Sequence, residues 1–469
     1  MAASPASAQK GARHLFEQGA RHLSDMGGKW AISISGASAP PPKDPQKGAS
    51  HLSGESARHL AQGGAATRQH LVCLTTSGAL GGAETSLLTL LGALRCLEPA
   101  WQMTVVAPAD GPLLARCRET GIGAVTLPYP AALAALGESG AAAPHAGVAI
   151  RVGAVLRLVG TAAALWPYLH RLRTELRRAR ATVVHSNGIK AHVAASLTLP
   201  RGARLVWHLH EYVRPRPGTA RLLRRLSRRP AAIVVNSDSV GDDVRSALGH
   251  PRSLRRVHNA VDTSVFCPDG AVLDLAAAAG QTADSGLVRI GLVATFGRWK
   301  GHEVFLEAIA RLPASHRVRA YVIGGPVYHT AGSQYSREEL EARAAALGIR
   351  DVVGFTGHID DVPAALRALD IVVHASTNPE PFGMVIAEAM AAGRAVVAVR
   401  AGGARELFED GVEGLGHEMG DADDLARQLR RLVEDTALRE SLGRTARATA
   451  VRRFSAGRMA AEFRQVYVG

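Results

Sequence analysis

Two acidic residues, Glu380 and Glu388, stand in the stretch His374–Val399, which reads HASTNPEPFGMVIAEAMAAGRAVVAV. Seven residues separate them. Pro381 and Gly383 mark a junction between loop and helix, which puts Glu380 on the loop and Glu388 about two turns into the helix. The amides of Gly383, Met384 and Val385 open that helix without intrahelical partners and can hold a phosphate. Two carboxylates flanking an anion site suit a ligand with hydroxyls at both ends and pyrophosphate in the middle, as in a sugar nucleotide. The other reading is an acid that stabilises the helix dipole beside a solvated glutamate. Spacing alone does not choose between them.

Three further groups carry chemistry. Gly297-Arg-Trp-Lys-Gly301 places Arg298 and Lys300 on a turn after the strand-like run VRIGLVATF, which by itself reads equally as an exposed basic turn. In Trp207-His-Leu-His-Glu211, a strand would place His208 and His210 on one face. That pattern suits a metal, but no further ligands of suitable spacing follow, so no metal site is expected. Ser77-Gly-Ala-Leu-Gly-Gly-Ala-Glu84 joins a strand to a helix, and the backbone at Gly81 and Gly82 can approach an anion closely. It is neither GxGxxG nor GxxxxGK[ST], which disfavours a dinucleotide site and a P-loop. A tight structural turn explains it equally well. Asp242-Asp243 and Asp423-Asp424 fall at helix starts and read as structural.

These groups need elements to position them. From His70, the runs HLVCLTT, MTVVAP, ATVVHS, RLVWHLH and AAIVVNS alternate with helical patterns such as Glu84–Arg95 and Asp238–Gly249. Near-continuous apolar strands between helices indicate a parallel sheet covered on both faces, a doubly wound domain. A second series, VRIGLVATF, RVRAYVIGG, DVVGFTG, DIVVHAS and AVVAV, is interleaved with helices such as His302–Arg311 and Arg337–Leu347. The weakly patterned segment Asp269–Gly286 separates the two series, with a hinge expected at Asn259–Pro268. Residues 1–66 carry GARHL-type repeats and a Pro/Ser/Gly-rich stretch too short to bury a face, so a disordered low-complexity tail is expected. The expected organisation is α/β: a Rossmann-like domain over 67–262, another over 263–454 and a terminal helix over 455–469. The two domains face each other across a cleft at the carboxyl ends of their sheets.

The stretch from His374 resembles the E-x7-E signature of retaining glycosyltransferases of family 4, which have the two-domain GT-B fold. Other segments resemble the family in the same order. Gly297–Gly301 looks like its phosphate-binding segment, and His258-Asn-Ala-Val-Asp262 with Phe266 and Pro268 like its interdomain linker. Gly402-Gly403 through Glu406 and Gly411 looks like the segment after the signature, and Phe454-Ser455 with the helix ending at Val468 like its returning tail. The resemblance spans roughly 70–469 and is looser in the first half. It implies that Arg298 and Lys300 bind the donor pyrophosphate and neutralise the leaving nucleotide. It also implies that Glu388 binds ribose hydroxyls, Glu380 the donor sugar and Gly82 the phosphates. His210 is implied to lie against that sugar and assist the transition state. The family works generally without a DxD-bound metal, and no cofactor is expected besides the nucleotide-sugar donor.

Composition sets the limits. The 469 residues are 47% hydrophobic, 20% charged and only 4% aromatic, enough for sizeable cores built on Ala, Val and Leu. Fifty-five Lys+Arg against 41 Asp+Glu give a net charge of +14, which favours anionic partners. The four scattered cysteines argue against disulfides or structural zinc and suit a reducing cytoplasm. The first residues lack an apolar secretory core, and no usable run reaches the ~20 residues that span a bilayer. A cytoplasmic protein is expected, peripheral at most on the inner face of the membrane. Leu165–Arg180 and Arg214–Arg229 are basic and amphipathic, which suits either an anionic membrane surface or a solvated face. Nucleic acid is not expected, because stacking aromatics and a recognised module are missing. The expected function is transfer of a hexose-like sugar to a glycan or lipid-linked acceptor in cell-surface polysaccharide or glycolipid synthesis. The alternatives are a non-catalytic nucleotide-sugar-binding protein and a glycan phosphorylase, the latter lacking a context for a pyridoxal-phosphate lysine.

Overall fold

The computed structural model describes residues 69–130, 165–249, 251, 253–282, 286–315, 317–327 and 332–469. All of them belong to one compact unit. The 1–66 tail and residues 131–164, which include most of Pro128–Arg157, lie outside the described residues.

The first half forms a seven-stranded sheet. Its strands are β1 (His70–Leu74), β2 (Gln102–Ala107), β3 (Gly123–Thr126), β4 (Val183–Asn187), β5 (Arg204–Leu209), β6 (Ala232–Val235) and β7 (Leu254–Arg256). Their order is β3-β2-β1-β4-β5-β6-β7, and every pairing is parallel. The second half forms a six-stranded sheet of β8 (Val288–Val293), β9 (Val318–Ile323), β10 (Val353–Gly357), β11 (Ile371–His374), β12 (Ala395–Val399) and β13 (Leu415–His417). Its order is β10-β9-β8-β11-β12-β13, again all parallel. The apolar runs that sequence reading picks out supply the central strands. It misses β3, β7 and β13, all of them edges of three or four residues. Edge strands are short and carry little apolar signal.

Alternation along the strands sorts side chains between two cores. Val183, Val206 and Val234 pack under the helices Gly82–Leu97 and Ala456–Val468, while Val184, Trp207 and Val235 face the opposite layer. The chain returns to this first sheet at its end. Val261 N–H donates to Phe454 O at 2.9 Å, and the helix Ala456–Val468 then buries Met459, Phe463, Val466 and Tyr467 in the first core. Burying four such side chains, at about 1.5–3 kcal/mol each, ties the last helix firmly to the first domain.

In each sheet the strand order reverses, between β1 and β4 and again between β8 and β11. Ligands of open parallel sheets bind outside the carboxyl ends of the strands at such reversals. The segments leaving those strands carry the residues singled out from sequence: 75–82 after β1, 294–301 after β8 and 375–383 after β11.

Candidate functional site

After β8 the chain turns through Gly297–Gly301 and enters the helix His302–Ala310. Gly301 has φ +79°, and a Cβ there would lie 1.8 Å from Ala375 O, so glycine alone lets this turn lie against the end of β11. Thr377 N–H donates to Trp299 O at 2.8 Å and locks the two segments together. The result is a charged cluster. Lys300 Nζ lies 2.6 Å from Glu380 Oε1, Ser376 Oγ donates to the same oxygen, and His374 Nε2 lies 3.4 Å from Glu380 Oε2. Burial pushes the Glu380 carboxyl up, but His374 and Lys300, each by charge and hydrogen bond, outweigh it and hold the group well below the usual carboxylate range. Glu380 is therefore an ionised acceptor next to a lysine, in a site where its side chain is 13% exposed.

Gly383, at φ +96°, turns the chain into the helix Met384–Ala391. The amides of Gly383, Met384 and Val385 open that helix, with no carbonyl of its own to bond. Glu388 follows on the same helix, half-buried, its carboxylate without a hydrogen-bond or ionic partner among the described residues. Burial pushes its carboxyl up to about 7.

The opposite wall comes from the first sheet. A Cβ on Gly82 would lie 3.8 Å from Met384 Cγ, so the glycine turn faces the helix start directly. Gly81 caps the helix Gly82–Leu97 in an extended conformation. Asn259, on the linker, donates to Met384 Sδ at 3.7 Å and accepts from Ser86 Oγ at 3.1 Å. His210 follows β5 at the carboxyl edge. Both of its ring nitrogens are buried without a partner among the described residues, and burial pushes its pKa down to about 4. It is neutral at pH 7. Two residues on, Tyr212 Oη donates to Glu380 O at 3.1 Å and contacts Ser239 Oγ at 2.9 Å.

The structure thus brings Lys300, Glu380, Gly383, Met384 and Val385 together on one wall, with Gly81, Gly82 and His210 on the other. Arg298 does not join them. Its guanidinium bonds Glu339 Oε1 at 3.0 Å and Gly332 O at 3.1 Å and stacks on Tyr335 at 4.3 Å. The side chains of Arg298 and Lys300 diverge because the turn Arg298–Lys300 is a single 3₁₀ turn, and the acid that captures Arg298 stands on another helix. Sequence reading assigned no role to His374, Ser376, Tyr212 or Glu406. Glu406 accepts from Asp238 N at 2.8 Å and Ser239 N at 2.8 Å, so the second domain caps a helix of the first. Gly402-Gly403 signals its position, because Gly403 N–H donates to Glu380 O at 2.7 Å. His208 packs within the fold, with its ring 3.9 Å from that of His210. Asp243 accepts from Val213 N and Arg214 N, and Asp424 from Arg400, Arg427 and Glu418 N, both structural roles. Among the described residues no group of three or more His, Cys, Asp or Glu side chains is arranged to hold a metal. No described helix is long and apolar enough to cross a membrane.

Comparison with known proteins places these features. Residues 280–449 match the family model described as glycosyl transferases group 1, and residues 80–265 that described as Glycosyltransferase Family 4. The chain is 34% identical over 224 residues to the lipopolysaccharide core biosynthesis glycosyltransferase LpsE of Rhizobium meliloti, a match covering 48% of this chain and 60% of the relative. It is 32% identical over 245 residues to the lipopolysaccharide core biosynthesis mannosyltransferase LpcC of Rhizobium leguminosarum, covering 52% and 65%. Each match spans less than two thirds of the relative. The solved structure of Anabaena Alr3699/HepE in complex with UDP-glucose superposes with a TM-score of 0.69 at 25% identity, covering 86% of this chain and all of that one. The chain therefore has the GT-B fold, with both halves matched by glycosyltransferase families.

Proposed function

We propose that the chain is a retaining glycosyltransferase of family 4 that moves a hexose from a nucleotide-sugar donor to a glycan or lipid-linked acceptor. The process is cell-surface polysaccharide or glycolipid synthesis at the cytoplasmic face of the membrane, with neither a metal nor a resident cofactor. The names of LpsE and LpcC, both of lipopolysaccharide core biosynthesis, support the pathway class. The UDP-glucose held by HepE supports the donor class. One observation carries the reading: the free amides of the helix Met384–Ala391, with Lys300 and Glu380 beside them, stand directly opposite Gly82.

In this arrangement the amides of Met384 and Val385 receive the donor diphosphate. Lys300 exchanges its bond to Glu380 for the phosphate, where its charge stabilises the leaving group as the glycosidic bond breaks. Glu380, ionised and oriented by Ser376 and His374, accepts hydrogen bonds from the sugar hydroxyls. Glu388 meets the ribose hydroxyls on the far side. The neutral His210 lies against the sugar, and the leaving phosphate takes the acceptor proton in a front-face displacement.

The product's anomeric configuration, read by NMR, tests this directly. Transfer in excess EDTA with the donor's configuration retained is the expected result. An inverted product, or activity abolished by EDTA and restored by manganese or magnesium, would overturn the retaining, metal-free reading.

A further inference from the structure

Buried polar atoms without a hydrogen bond are not scattered through the first domain. Apart from Arg204 Nε, those among its described residues are His185 Nε2, Asn187 Oδ1, both ring nitrogens of His208 and of His210, and Asn236 Oδ1. Register explains why they meet. Asn187 pairs with His208, and Leu209 with Val235, so one step on His210 stands beside Asn236. Alternation then puts all five residues on a single face of β4, β5 and β6.

The inner part of this row is roofed by the terminal helix. The Phe463 ring lies 4.9 Å from that of His208, and Tyr467 Oη is 2.7 Å from His185 Nδ1. The outer part, Asn187, His210 and Asn236, ends at the carboxyl edge of the sheet, with Asn187 closing the strand beside the reversal of strand order. Asn187 Nδ2 donates to Ala83 O at 3.3 Å, which fixes the amide next to Gly82 with its oxygen left over. Asn236 precedes Ser237, whose Cβ is 3.0 Å from where a Cβ on Gly403 would stand. Gly403 in turn holds the Glu380 carbonyl. The two asparagines therefore bracket His210 between the glycine turn and the Glu380 loop.

Each unpaired buried group costs about 1–3 kcal/mol, so packing alone would favour apolar residues here. The chemistry of the row is neutral: two amides and an uncharged imidazole. It matches hydroxyls of an uncharged ring rather than a phosphate, whose cation and free amides stand on the other wall.

We propose that Asn187 and Asn236 are sugar-recognition residues flanking His210, hydrogen-bonding hydroxyls of the hexose carried by the donor. This rests on the glycosyltransferase reading above. The test compares binding of UDP with UDP-glucose, and of GDP with GDP-mannose, by calorimetry, together with hydrolysis of the sugar nucleotide without acceptor. In Asn187→Ala and Asn236→Ala the affinity for the bare nucleotide stays within about twofold of wild type. Affinity for the sugar nucleotide falls about tenfold, the scale of one neutral hydrogen bond. Serine at either position serves where alanine does not fold. Equal weakening of both ligands, or of neither, with an unchanged melting temperature would overturn the proposal while leaving the glycosyltransferase reading intact. A wild-type chain that binds none of the four ligands would remove both.

Discussion

At the scale of single residues, the site turns on which cation reaches the carboxylate. Lys300 lies 2.6 Å from Glu380, whereas Arg298 is held by Glu339 and Tyr335. Lys300→Ala should therefore lower turnover about a hundredfold or more, the usual scale for losing a group that stabilises transition-state charge. Arg298→Ala should cost less than about threefold, since its pair with Glu339 is exposed and such pairs contribute little. Steady-state kinetics of both purified variants checks the contrast, and equal losses would contradict it. The pattern of residue types at 297–301 and 380–388 made this region legible in the sequence. The divergence of the two cations was not, because spacing along the chain says nothing about a partner on the helix Arg337–Ala346. His374 and Ser376 were equally hidden: a buried strand end shows no sign that it will orient a carboxylate six or four residues on.

At the scale of elements, the helix Pro217–Leu226 shows the same division. Its amphipathic pattern is plain in sequence, and Leu223 is fully buried while Leu222 is 43% exposed. Not all the arginines of Arg214–Arg229 are available to a surface, however. Arg224 donates through Nε and a terminal nitrogen to Ala247 O, at the end of the helix Asp238–Leu248, and Arg229 donates to Ser196 O. These carbonyls belong to helix C-termini, which attract cations. Arg221, Arg225 and Arg228 are exposed without a partner among the described residues. Replacing these three by Gln should weaken binding to anionic vesicles about a hundredfold, at about 1 kcal/mol per arginine, and the loss should shrink as salt is added. Vesicle co-sedimentation measures it. A wild-type chain that ignores anionic vesicles at low salt would make this only a solvated face. The central strands and long helices were legible because their apolar period is strong. The short edges β3, β7 and β13 were not, because GAVT, LRR and LGH lack the longer run of consecutive apolar residues that marks the equally short AIVV of β6 and IVVH of β11.

At the scale of the whole molecule, the contacts between the two sheets include Tyr212 to the Glu380 carbonyl, Asn259 to Met384, and Glu406 to the amides of Asp238 and Ser239. Five described histidines are kept neutral by burial. Burial pushes His185 down to about 3 and His210 and His302 to about 4, and pushes His192 and His208 well below their ordinary value. The unfolded chain protonates these groups near pH 6.5, so between the two values it binds more protons than the folded chain. Stability is thus fully present above about pH 6.5 and is lost as pH falls toward 4, by about 1.4 kcal/mol per pH unit for each histidine. Unfolding at pH 5 should take up at least three protons, measurable from the pH dependence of the unfolding free energy. Uptake below one proton would mean that these five histidines are solvated.

The proposed function requires a nucleotide sugar to bind between Gly82 and the start of the helix Met384–Ala391. The most direct measurement is release of nucleoside diphosphate from a panel of UDP- and GDP-hexoses incubated with the purified chain in EDTA, with no acceptor present. Slow hydrolysis of at least one donor is expected, lost in Lys300→Ala at unchanged melting temperature. A folded chain that neither binds nor hydrolyses any nucleotide sugar would contradict the proposed function.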